Sequence, residues 1–222
     1  MEQTMIRRFT IDKMISMTEK IDNIFLSTKR RNKLNNTDFS IISNNCWGGS
    51  VYRRYGLQYK SPTIGLYFFA EEYIKFLMNL EISINSEIKI IDAYKSKYAQ
   101  ILEEKQQMNV PIGVINDDIE IVFLHYKTKQ EAYNKWMRRA ERLNFDNLIV
   151  KFSEMNLCNE IHLHEFEQLS FHKKILLTSK SYHNIQSGII VEKYTHNGEI
   201  SNDTLYYDSF LDLETFINSD VI

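Results

Sequence analysis

Residues 39–49 read Phe-Ser-Ile-Ile-Ser-Asn-Asn-Cys-Trp-Gly-Gly, an apolar run that stops in two amides, a thiol and the only adjacent glycines in the chain. Cys46 is the one strong nucleophile in this loop. Ahead of a helix N-terminus its thiolate is favoured, because unpaired N–H groups and the helix dipole stabilise negative charge. The backbone at Gly48 and Gly49, free of side chains, can hold an oxyanion. The opposing reading makes Cys46 a small buried hydrophobe and the glycines a device for a tight turn. His125, in Phe-Leu-His-Tyr, falls at the carboxyl end of a predicted strand, where site residues collect, and is the natural base for the thiol. It serves equally well as a satisfied side chain closing an apolar run. Asp117, Asp118 and Glu120 stand near enough in sequence to orient an imidazole, or are ordinary turn residues.

The segment 128–144 places Glu131, Lys135, Arg138, Arg139 and Arg142 three and four apart, a spacing that makes salt bridges on a solvated helix face. Trp136 and Tyr133 form its expected buried side. A sharper reading has one of the three arginines reach the strand ends and grip a phosphate or carboxylate with its planar fork. His162 and His164 lie two apart, which points them in different directions on a helix and argues against a shared metal. Glycine-rich dinucleotide loops, a Walker loop, a Gly-x-Ser-x-Gly elbow and a His-Glu-x-x-His pair all lack their residues here.

These residues need strands and helices to position them. Thr10 caps a predicted helix through Phe25 that ends in Lys29-Arg30-Arg31, cations that complement a helix C-terminus. That tract also fits docking to a phosphate or a membrane surface. Strands are expected from Asp38 to Ile42, Ile88 to Ile91, Val110 to Ile115, Ile119 to His125, Asn147 to Phe152, Lys174 to Thr178 and Gly188 to Val191. Helices are expected at 50–55, 70–80, 128–142, 161–169 and 211–217. The alternation implies an α/β fold with three layers, helices covering both faces of one mostly parallel sheet. An antiparallel hairpin over 110–125 makes that sheet mixed. With no linker or repeat, residues 1–222 read as one domain.

At 222 residues the chain is long enough to bury roughly 70% of the surface its unfolded form exposes. A formal net charge of -2 gives no general pull toward nucleic acid. No apolar stretch approaches the ~20 residues of a membrane span, and no secretory signal opens the chain. A cytoplasmic address is therefore expected, with Cys46 and Cys158 as free thiols.

Four segments together resemble the DUF1919 family: Ser-Ile-Ile-Ser-Asn-Asn-Cys-Trp-Gly-Gly at 40–49, Tyr-Lys-Ser-Pro-Thr-Ile-Gly-Leu at 59–66, Glu-Ile-Val-Phe-Leu-His-Tyr at 120–126 and Lys-Trp-Met-Arg-Arg-Ala-Glu-Arg-Leu-Asn at 135–144. Members are usually labelled exopolysaccharide biosynthesis proteins. The resemblance covers most of residues 38–182 and implies an α/β protein of a surface-polysaccharide pathway. It puts Asn44, Asn45, Cys46, Gly48, Gly49, Arg53, His125 and Arg139 on recurring motifs. Glu154-Met155-Asn156 stands where an Asp-Arg-Asp run is expected. The reading that follows is a transferase acting on an activated sugar or acyl donor, with Cys46 and His125 catalytic. Asn44, Asn45, Trp47, Gly48, Gly49, Arg53 and Arg139 then hold substrate. The alternative is a non-catalytic sugar- or phosphate-binding protein of the same pathway.

Overall fold

The computed structural model describes residues 18, 22, 25–204 and 207–219. Most of the helix expected from Thr10 lies outside these residues; over 25–31 the chain is helical (α1), and Arg31 at its end donates to the Gly56 carbonyl at 3.1 Å. The following elements are β1 (Ser40–Ser43), α2 (Trp47–Arg54), α3 (Ala70–Met78), α4 (Leu80–Asn85), β2 (Ile88–Asp92), α5 (Ala99–Glu104), β3 (Pro111–Ile115) and β4 (Ile119–Val122). Then come α6 (Lys129–Ala140), β5 (Leu148–Ser153), α7 (Glu160–Gln168), β6 (Lys173–Thr178), β7 (Gly188–Ile190) and α8 (Leu213–Asn218). The helix α5 escapes sequence periodicity because its apolar residues, Ile101 and Leu102, are too few to make a stripe.

The α/β expectation holds. A four-stranded sheet has the order β1-β5-β6-β7, every pair parallel. Successive side chains point to opposite faces, so the apolar strands feed two cores. Ile42, Val150, Phe152 and Leu176 pack with α3, α6 and α7, while Ile41, Ile149, Ile175 and Leu177 pack with Trp47, Val51 and Tyr52 of α2 and with Leu213 and Ile217 of α8. Helices therefore cover both faces.

The hairpin expected at 110–125 is present, turning through Asn116 and Asp117 at φ of 53° and 56°, but it does not join the parallel strands. With β2 it forms a separate antiparallel sheet, β2-β3-β4. The reason lies at the free edge of β1. Ser43 donates its N–H to the Thr63 hydroxyl at 3.2 Å, and Ile41 donates its own to the Tyr52 hydroxyl at 3.1 Å. Side chains thus occupy donors that a neighbouring strand would use, one of the ways native sheets blunt an edge. The whole antiparallel unit lies in the connection between β1 and β5, and that long excursion brings residues 59–66 and 125–126 back to the first strand.

The helix α6 starts as its sequence implies. The Thr128 hydroxyl accepts from Glu131 N–H, and Glu131 reaches back to Lys127 N–H at 2.9 Å, a reciprocal cap. Ala132, Trp136 and Arg139 form its buried face. Tyr133 instead points outward, since it lies one residue away from that stripe.

Candidate anion-binding site

The turn after β1 faces two environments. On one side is a buried polar knot. Lys151 projects from β5 with no exposure and pairs with Asp203, which is 1% exposed. The Ser153 hydroxyl also donates to Asp203, and Asn45 Nδ2 donates to Asp203 Oδ1 at 2.7 Å. Asn45 Oδ1 accepts from Lys151 Nζ at 3.2 Å and from Trp47 N–H at 3.1 Å. Asn44 pairs with the backbone of Ser153 in both directions, at 2.9 and 3.1 Å. Burial pushes the Lys151 ammonium below its ordinary range, against the pull of Asp203.

This knot corrects several expectations. Asn44 and Asn45, expected to orient a substrate, turn away from the cavity described below, and their amides are engaged with Ser153, Lys151 and Asp203. Trp47 is fully buried in the core, 5.9 Å from the Lys151 ammonium. The Gly48 N–H donates to Ser43 Oγ at 3.4 Å and the Gly49 N–H to the Cys46 carbonyl at 3.1 Å. Both donors proposed for an oxyanion hole are spent within the turn.

On the other side lies a cavity of about 250 Å³. Cys46, Gly49 and Arg53 line it from the turn and α2; Tyr59, Ile64 and Gly65 come from the loop before α3. His125 and Tyr126 follow β4, and Lys135 and Arg139 come from α6. The sequence expectation that brought Cys46 and His125 toward one hollow relied on His125 ending a strand, Ile119 to His125, of the same mixed sheet as the strand before Cys46. It does not; it lies beyond β4, in the loop after the antiparallel sheet. A backbone bond from His125 N–H to the Gly65 carbonyl, 3.0 Å long, brings it to the cavity instead. Gly65 sits at φ +78°, and a side chain there would meet Tyr126 at 3.3 Å, so the approach needs glycine.

The cavity is cationic. Arg139 is only 7% exposed, and its Nη1 donates to the Ile64 carbonyl at 3.0 Å and to Tyr126 Oη at 2.6 Å. Its guanidinium lies 5.0 Å from the centre of the Tyr59 ring. Of the three arginines in 138–142, this one turns inward because it shares the Ala132 and Trp136 stripe. Arg53 holds Ser50 Oγ at 2.9 Å. No carboxylate among the described residues pairs with Arg53 or Arg139, whereas Lys135 is matched by Glu131 at 2.6 Å.

Two titrating groups share this wall. Burial, helped by the Asp203 charge, pushes the Cys46 thiol up to about 11, and Arg53 and Lys151 only partly oppose it. The helix N-terminus therefore does not yield the expected thiolate; the thiol stays protonated and lies 3.6 Å from the Leu66 carbonyl. Burial, then the neighbouring Arg53, holds the His125 imidazolium below its usual range, so the ring is neutral at pH 7.

Elsewhere, His162 caps α7 by accepting from Asn159 N–H at 3.2 Å, and Cys158 packs against the core. Glu154, at the departure from the expected acidic run, accepts from Ser179 N–H at 2.6 Å and from the Tyr182 hydroxyl. Sequence reasoning missed Tyr59, Ile64, Gly65 and Tyr126, although all four stand inside the segments that carry the family resemblance. Lys151 had a fainter signal: a charge inside the apolar strand Leu-Ile-Val-Lys-Phe-Ser.

The molecule is thus an α/β protein with a small cation-lined cavity beside the first strand of its parallel sheet. It belongs to the DUF1919 family, a domain of unknown function whose model matches residues 17–218. An uncharacterized protein of Haemophilus influenzae is similar, with 28% identity over 206 residues that span 89% of this chain and 93% of that one. Among the described residues no helix is long and apolar enough to cross a membrane.

Proposed function

We propose that the protein binds a small anionic metabolite in the cavity between α2 and α6. The observation that carries this reading is the pair of guanidiniums, Arg53 and Arg139, that face one hollow without a carboxylate partner among the described residues. An arginine held by the Ile64 carbonyl and stacked on Tyr59 is preorganised, so little freedom is lost when its fork closes on oxygen atoms. The exopolysaccharide label attached to the family resemblance makes an acidic or phosphorylated sugar of a surface-glycan pathway, met in the cytoplasm, the ligand of choice. Titration calorimetry of the full chain with inorganic phosphate tests the anion site. Heat that disappears in the Arg53→Gln variant supports it, and no heat at millimolar phosphate and low salt sinks it.

A second reading has one specific observation in its favour: Cys46 and His125 line the same cavity. In that reading the thiol proton passes to the neutral imidazole while sulfur attacks an acyl or sugar donor, the donor's bond to its carrier breaks, and the carrier leaves with that electron pair, taking the proton back from the imidazolium where it needs one. The raised thiol makes it the weaker of the two. A covalent adduct on Cys46, found by mass spectrometry after incubation with acyl or sugar donors, would restore it.

A further inference from the structure

Resting on the anion-binding reading, we infer that the cavity selects a phosphomonoester no larger than a hexose phosphate, bound as the dianion, in preference to a carboxylate or a nucleotide-linked sugar.

Charge decides the first preference. Glu131 neutralises Lys135, and His125 is uncharged at pH 7, so Arg53 and Arg139 leave the wall with two uncompensated positive charges. A carboxylate carries one negative charge and can match only one of these guanidiniums, so it forgoes the second charge-assisted contact. A phosphomonoester, whose second ionisation lies near pH 6, carries about two at pH 7.5 and presents three acceptor oxygens. Arg139 has already committed Nη1 to Ile64 and Tyr126, which fixes its plane and leaves the rest of its fork for the ligand. Arg53 approaches from α2 beside Gly49, where a Cβ would touch its Nη1 at 3.4 Å and crowd Ile64 at 3.2 Å.

Size decides the second preference. About 250 Å³ falls below the roughly 300–1,000 Å³ of sites that enclose drug-sized ligands. A phosphate with one sugar ring fills that volume; a nucleoside diphosphate with its sugar exceeds it and would leave most of its surface outside the cavity, without contacts. The surroundings suit a polyol rather than an apolar tail, since the His125 imidazole, which lines the cavity, has no side-chain hydrogen-bond partner among the described residues.

The test is competition at pH 7.5 and low salt, measured by calorimetry on the full chain with four probes: inorganic phosphate, glucose 6-phosphate, glucuronate and uridine diphosphate glucose. The expected order places glucose 6-phosphate first, about tenfold or more tighter than glucuronate and the nucleotide sugar. Arg53→Gln, at an exposed position, should weaken glucose 6-phosphate about tenfold and leave the melting temperature unchanged. Glucuronate binding as tightly, or the nucleotide sugar binding best, overturns the ligand class while the anion site survives. Failure of all four, inorganic phosphate included, removes the anion site itself.

Discussion

The two sides of the turn at 43–49 use the same vocabulary of amides, cations and hydroxyls to opposite ends. Around Lys151 and Asp203 the charges are cancelled, the amides are doubly engaged and water is excluded. Around Arg53 and Arg139 the cations are left over, one of them exposed, and the space between them is open. Satisfied polar groups hold a fold together; polar groups held in place but not satisfied are what a ligand can use. Cys46 stands at the boundary, and the knot behind it decides its state more than the cavity in front, since burial and Asp203 set its proton affinity.

The largest effect should come from the knot. Asp203→Ala strands a buried ammonium and should lower unfolding free energy by about 3–5 kcal/mol in urea titrations. The double change Lys151→Met with Asp203→Leu should recover most of that loss, because matched apolar residues need no partner. A cost below about 1 kcal/mol for Asp203→Ala would erase the distinction between the two sides.

Next, Arg139→Ala should act on both sides at once. It removes one of the two donors on the Ile64 carbonyl, the Tyr126 hydroxyl being the other, and the charged donor to that hydroxyl, costing about 1.5–3 kcal/mol of stability, and should weaken anion binding more than tenfold. Arg53→Gln loses binding alone. If the two variants behave alike in stability, Arg139 is not the structural anchor of the cavity.

A smaller effect concerns the thiol. Alkylation of Cys46 by iodoacetamide should keep accelerating as pH rises from 8 to 10, with an apparent midpoint of about 11 rather than the ordinary 9.0. Because the folded thiol holds its proton to higher pH than the unfolded one, its linkage favours unfolding as pH rises through 9 toward 11. A flat rate above pH 7 would reveal a thiolate and favour covalent chemistry. The smallest effect belongs to Cys46→Ala, which should alter phosphate affinity by less than about twofold, the span of ±0.5 kcal/mol.

Much of this architecture was readable from residue order. Buried runs such as Ser-Ile-Ile-Ser and Lys-Lys-Ile-Leu-Leu-Thr mark parallel strands because both faces need apolar residues. Thr128 with Glu131 marks the start of α6, and the family segments contain the cavity lining almost completely. What could not be read was sheet membership. The hairpin looks the same whether or not it joins β1, since that depends on Tyr52 and Thr63 occupying an edge from 11 and 20 residues away. The fate of the amides was hidden for a similar reason: Asn45 finds its partner at Asp203, 158 positions further on.

Local chemistry, then, set the strands, the helix caps and the list of side chains able to act. It also set the chance that a thiol, an imidazole and arginines matter. Only the assembled molecule decided which arginine turns inward, which N–H groups remain unspent and whether the thiol keeps its proton. Those outcomes depend on burial and on charges brought close by long-range packing, quantities that no neighbour in sequence supplies.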